Sequence, residues 1–94
     1  MLSSPRPNFV ESDAGFSVEV LGRVGMRYRE GEKSLFVDSE VLMAGHGIMI
    51  AAKSIRKWDP PHDGEPITGE KKAAIIGHIA QVLVEFWKQP LEVR

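Results

Sequence analysis

Between Trp58 and Pro66 the chain reads WDPPHDGEP, and four of these nine residues, Asp59, His62, Asp63 and Glu65, carry groups able to ligate a metal or move a proton. Oxygen and imidazole donors this close together suit hard or borderline divalent cations. One reading is therefore a metal-dependent enzyme built on the four. Pro60 and Pro61 argue against it, because they hold the backbone extended and splay neighbouring side chains. The spacing fits neither a calcium loop nor a zinc signature. The favoured reading is a proline-stiffened crossover. Trp58 is a large apolar anchor, the prolines lower the entropy lost on ordering, Asp63-Gly64 is a turn pair, and Pro66 precedes a helix cap at Thr68. On this reading no metal and no cofactor is expected. Asp59, His62, Asp63 and Glu65 then sit at the surface, where a partner protein would meet them.

The other reactive groups are scattered. Acid–base and nucleophilic catalysis needs groups that converge from different elements. His46 falls on a hairpin tip, His62 on the crossover and His78 at the margin of a helical apolar stripe. No serine occupies a strand-to-helix elbow, and Gly45-His46-Gly47 reads as a turn, not a phosphate loop. There are no cysteines, which removes disulfides, zinc–thiolate sites and thiol nucleophiles. Lys53, Arg56 and Lys57 could touch phosphates, and Arg27 and Arg29 beside Phe36 could imitate a stacking platform. With a net charge of −1, a solvated basic edge and an arginine over a half-exposed ring are the simpler readings. Neither an enzyme nor a nucleic-acid partner is expected.

The elements that must position these groups follow from periodicity. Phe16, Val18 and Val20, then Met26 and Tyr28, then Leu35, Val37 and Val41, then Ile48 and Ile50 alternate with other residues as half-buried strands do. A two-residue turn at Gly31-Glu32 sets Glu30 opposite Lys33, Tyr28 opposite Leu35, Arg27 opposite Phe36 and Met26 opposite Val37. A three-residue loop Leu21-Gly22-Arg23 would pair Val20 with Val24 and Val18 with Met26. A tip at Gly45-His46 would pair Met43 with Ile48 and Val41 with Ile50. All three turns give one apolar inner face. Residues 53–57 either extend the fourth strand past a bulge near Ala51-Ala52 or form a short fifth. Thr68 then caps a helix with Glu70 in its first turn and an apolar stripe of Ile75, Ile76, Ile79, Val82, Leu83, Phe86 and Trp87, ended by Pro90. Leu91 and Val93 form a last short strand or a tail. The expected fold is α+β: an antiparallel β-meander of four to five strands with one C-terminal helix packed on one face.

One helix covers only one side of a sheet. Phe36, Leu42 and Met49 point to the other side in this register, with Leu42 opposite Met49. An apolar group there suggests a protein contact, either with a foreign partner or in a homodimer. Asp38, Glu40, Asp59, Asp63 and Glu65 would form an acidic rim that steers a basic partner.

The totals agree with a small globular protein. The chain has 94 residues, 43% hydrophobic and 27% charged, enough for one domain. Residues 1–14 read as a flexible, proline-containing lead-in and residues 15–94 as a single α+β domain. No apolar stretch reaches signal-peptide length or the roughly 20 residues of a membrane span. A cytoplasmic protein with no membrane contact is expected.

The order of parts also resembles a known family. A meander ending in GHGIMIAAKSIRKWDPPHDGEPIT, followed by a helix beginning EKKAAIIGHIAQVL, is similar to the immunity protein 74 family of bacterial polymorphic toxin systems. The resemblance runs from about Met26 to Val84. Its most specific part is Ser54, Ile55, Trp58, Pro60 and Pro61, followed by Ile67 and Thr68. It implies an α+β protein that neutralises a cognate toxin by binding it, without catalysis. It transfers no binding residues. The Trp58 and proline signature fits a fold-making role as readily as a toxin contact.

Overall fold

In the computed structural model, which describes residues 1–43 and 45–94, the alternating segments build one seven-stranded sheet. The strands are β1 (Leu2–Arg6), β2 (Phe9–Ser12), β3 (Phe16–Val20), β4 (Val24–Glu30), β5 (Lys33–Val41), β6 (Ile48–Ile50) and β7 (Leu91–Val93), in sequential order across the sheet. The first six pair antiparallel, and β7 returns parallel to β6 after the helix. The α+β class holds. The count of four to five strands does not, and the sheet is mixed rather than wholly antiparallel.

Two of the added strands come from the expected lead-in. Pro7 sets the first central angle of a two-residue turn, and Asn8 takes the positive φ of 61° that a type II turn needs next. That turn folds β1 back on β2, and β2 in turn pairs with β3. Val10 is fully buried there, so the hairpin contributes to the core. Pro5 is tolerated because β1 is an edge strand with an irregular register between Ser3 and Arg6.

The β4–β5 hairpin has the predicted register: Glu30 faces Lys33, Tyr28 faces Leu35, Arg27 faces Phe36 and Met26 faces Val37. The flanking turns are longer than predicted. Val20 pairs with Met26, not Val24, and Val18 with Tyr28. Val41 pairs with Ile48, not Ile50, whose partner is Ser39. Both errors are shifts of two residues. Side chains alternate with period two, so a shift of two keeps every residue on its predicted face. Ala44, within the loop expected to turn at Gly45-His46, lies outside the described residues.

The helix α1 (Gly69–Ala80) starts where the sequence indicated. The Thr68 hydroxyl accepts the Lys71 N–H at 3.1 Å. It continues through π-helical turns, Gln81–Phe86, where the Trp87 N–H donates to the Val82 carbonyl. Lys88 then adopts a left-handed φ of 58°, and the Gln89 N–H caps the Leu83 carbonyl, a left-handed ending one residue wider than the α-helical form, before Pro90. Ile75, Ile79, Val82 and Leu83 are fully buried against Val18, Met26, Tyr28, Leu35, Val37 and Ile50. Each such aliphatic side chain contributes about 1.5–3 kcal/mol on burial.

Gly47 closes the circuit. The Ile48 N–H donates to the Pro90 carbonyl at 2.9 Å, which starts the β6–β7 pairing. A Cβ at Gly47 would collide with that carbonyl, and its φ of 84° disfavours any other residue.

Candidate binding site

The stretch after β6 is not a strand. Ala52–Ser54 form a 3₁₀ turn, and the next pairing is a single bridge between Lys57 and Pro66. WDPPHDGE is therefore a closed loop with its neck at that bridge, rather than an extended spacer. Trp58, 2% exposed, points inward and stacks near Tyr28 at 6.4 Å between ring centroids. It is the anchor the sequence suggested.

The connector from Ala51 to Asp59 runs along the open edge of β5. In the Glu30/Lys33 hairpin, Lys33, Leu35 and Val37 direct their backbone groups to β4, so Ser34, Phe36 and Asp38 direct theirs away. The connector engages the outer two. The Asp59 N–H donates to the Ser34 carbonyl at 2.7 Å, and the Ala51 N–H donates to the Asp38 carbonyl at 2.9 Å. The Ser54 hydroxyl accepts the Asp38 N–H at 3.0 Å and donates to the Ala51 carbonyl at 2.6 Å. Phe36, between them, receives no backbone hydrogen bond from the connector among the described residues.

A groove results. Two adjoining cavities of about 520 and 210 Å³ share Phe36, Ser54 and Arg56 as walls. The larger adds Asp38 and Lys53, the smaller Lys57, Trp58, Asp59, Pro60 and Asp63. The Phe36 ring, 41% exposed, lies against Gly25 on the neighbouring strand, which has no side chain to obstruct it. Lys53, Arg56 and Lys57 are exposed and form no ion pair among the described residues.

The residues expected to meet a partner divide into three groups. Phe36, Asp59 and Asp63 come together in the smaller cavity. His62 and Glu65 belong to the same loop but are not among its walls: the His62 N–H closes a turn onto the Asp59 carbonyl, and Glu65 pairs with Lys33 at 2.6 Å. Leu42 and Met49 lie elsewhere and do not face each other. Met49 stands between Glu40 and Glu92, while Leu42 is past the end of β5, its N–H donating to the Gly47 carbonyl. The two-residue shift in the β5–β6 turn separates them.

The acidic rim is also thinner than expected. Asp59 accepts from Arg27 at 2.6 Å and Ser34 at 3.3 Å, and Glu65 is neutralised by Lys33, which also lies 5.7 Å from the Trp58 ring centre. Only Asp38, Glu40 and Asp63 of the five remain without an ion pair among the described residues. Asp59 and Glu65 face different cations, and no three His, Asp or Glu side chains converge on a common point among the described residues. The metal-enzyme reading finds no assembled site. Nor is the uncovered sheet face a continuous apolar patch: one row across it reads Phe9, Glu19, Arg27, Phe36.

Four residues of the motif that carried the resemblance have structural work. Ser54 pins the connector to β5, Ile55 and Trp58 are buried, and Thr68 caps α1. The wider comparison agrees with it: a family model described as Immunity protein 74 matches residues 17–89. The chain belongs to the immunity protein 74 family. No curated protein and no solved structure matches it. The family match takes in β4, β5, the groove and α1, and leaves the β1–β2 hairpin and β7 outside.

Within this family fold, one polar cluster escaped sequence reasoning. His78 stacks on Phe16 at 4.0 Å between ring centres, and its Nδ1 lies 2.7 Å from the Tyr28 hydroxyl. That hydroxyl lies 2.8 Å from Glu30, which also pairs with Lys71 of α1. Burial opposes ionisation of Glu30, but hydrogen bonds from Lys71 and Tyr28 outweigh it and hold the carboxyl below its usual range. Burial, then the adjacent Glu30, pushes the Tyr28 hydroxyl well above the ordinary phenol value. Burial lowers His78, opposed by Glu30 and reinforced by Lys71. The consistent proton arrangement is a relay: neutral His78 donates from Nδ1 to the Tyr28 oxygen, which donates to the Glu30 carboxylate. The relay ties the helix to the sheet. The signal in the sequence was the placement of Tyr28 and Glu30 two apart on the inner face, opposite His78 at the margin of the stripe.

Proposed function

We propose that this chain is a non-catalytic immunity protein that neutralises a cognate protein toxin by binding it in the cytoplasm of the producing cell. Membership of the immunity protein 74 family carries the proposal. The site chemistry is compatible with it: the titratable cluster that most resembles catalytic machinery, around Tyr28 and His78, joins α1 to the sheet. The groove has an exposed aromatic residue and unpaired charges, the anatomy of a protein contact. We place the toxin contact at Phe36, with Asp63 and His62 on the adjoining loop.

Co-expression tests this reading. The toxin encoded beside this chain's gene should arrest growth alone and fail to do so when the chain is present, with the two proteins eluting as one complex. A chain that neither rescues growth nor binds that toxin contradicts the proposal.

A further inference from the structure

The charge that the groove leaves uncompensated is positive. We infer that the groove receives an extended acidic segment of the partner protein, seated against Phe36. The inference rests on the protein-binding reading above and specifies the chemistry of the bound segment.

Three observations carry it. The chain is net −1, yet Lys53, Arg56 and Lys57 crowd one wall of the groove within five residues and lack ion-pair partners among the described residues. The Arg27–Asp59 pair beneath them is internally neutral. The unpaired groove residues thus sum to three positive charges against Asp38 and Asp63, two negative, a net of +1. Second, the β5 edge is open at a single residue. Phe36 points its N–H and C=O into the gap, and the connector bridges the edge on either side, at Ser34 and Asp38. That gap admits one backbone contact from a segment crossing the groove, because the connector occupies the edge at both ends. Third, the half-exposed Phe36 ring, which leans over Gly25 of β4 and walls the groove, offers an apolar seat for a side chain of the incoming segment. An extended segment alternates its side chains with period two, so glutamates on one side would reach the cations while apolar groups on the other met the ring.

The test uses the full chain labelled with ¹⁵N and a synthetic seven-residue peptide alternating glutamate with valine and leucine. Expected are saturable shifts of the Phe36, Lys53, Arg56 and Lys57 amides, weakening as salt rises from about 50 to about 300 mM as screening predicts. The triple variant Lys53→Glu/Arg56→Glu/Lys57→Glu should melt close to wild type and bind at least tenfold more weakly. Equal binding of a lysine-for-glutamate peptide, shifts confined to other residues, or a dodecathymidylate that binds where the peptide does not would each overturn the inference. The outcome is separable from toxin neutralisation: a triple variant that still neutralises the toxin fully sinks the groove assignment and leaves the immunity function standing. A wild-type chain that binds the peptide but protects against no toxin does the reverse.

Discussion

The two sides of the sheet differ in how completely their charges are paired. On the helix side, Glu30, Lys71, Tyr28 and His78 form a closed set in which each polar group meets another. No buried side-chain nitrogen or oxygen lacks a partner among the described residues. On the other side Arg27 pairs with Asp59, but Lys53, Arg56 and Lys57 along one wall of the groove form no ion pair among the described residues. Polar groups enclosed by a fold must be satisfied within it, because leaving one unpaired costs about 1–3 kcal/mol. Groups held at a surface are under no such demand. The difference separates residues that make the fold from residues free to serve a partner, with Tyr28 and His78 in the first set and Lys53, Arg56 and Lys57 in the second.

Substitutions test that division most strongly at the anchor. Trp58→Ala removes the largest fully buried side chain and should cost about 3–5 kcal/mol, read as a lower urea midpoint. A cost below about 1 kcal/mol would mean that the loop is not pinned to the core. Gly47→Ala should cost about 3 kcal/mol, since it combines a left-handed φ with a collision at the Pro90 carbonyl. Its hydrogen exchange should be faster across β6 and β7 than across β4.

The polar relay gives a smaller effect with a definite sign. Tyr28→Phe should cost about 1–2 kcal/mol, because Glu30 and His78 each lose a partner. His78 is lowered in the folded state, so the unfolded chain binds the proton more readily as pH falls below 6.5. Stability should be full above that value and decline as pH drops through the lowered folded pKa, with Glu30 adding a further loss below 4.5. Urea midpoints at about pH 7.5 and pH 5.5 measure the trend, and His78→Gln should flatten it. Smallest of all, replacing Lys53, Arg56 and Lys57 by alanine should leave stability within about 0.5 kcal/mol of wild type. A larger loss would move these residues into the fold-making set.

Much of the fold was legible because its signals are local. The β4–β5 register followed from one two-residue turn and an alternating pattern. The helix start followed from Thr68 and the apolar stripe. Loop length was not legible, since a turn longer by two residues leaves the inner face unchanged; the Leu42–Met49 pairing was lost for that reason. The β1–β2 hairpin was readable in hindsight from Pro7-Asn8, a turn pair hidden among residues too polar to suggest strands. The site was harder. Whether Asp59 is a free rim charge or the partner of Arg27 depends on residues 32 positions apart, and no spacing rule reaches that far.

Neutralisation by a Phe36→Asp chain, co-expressed with the toxin proposed as its partner, tests the central claim most directly. The predicted result is a folded variant, with an unfolding midpoint near wild type, that no longer protects the cell, while Tyr28→Phe, although less stable, still does. A Phe36→Asp variant that protects as well as wild type would contradict the account.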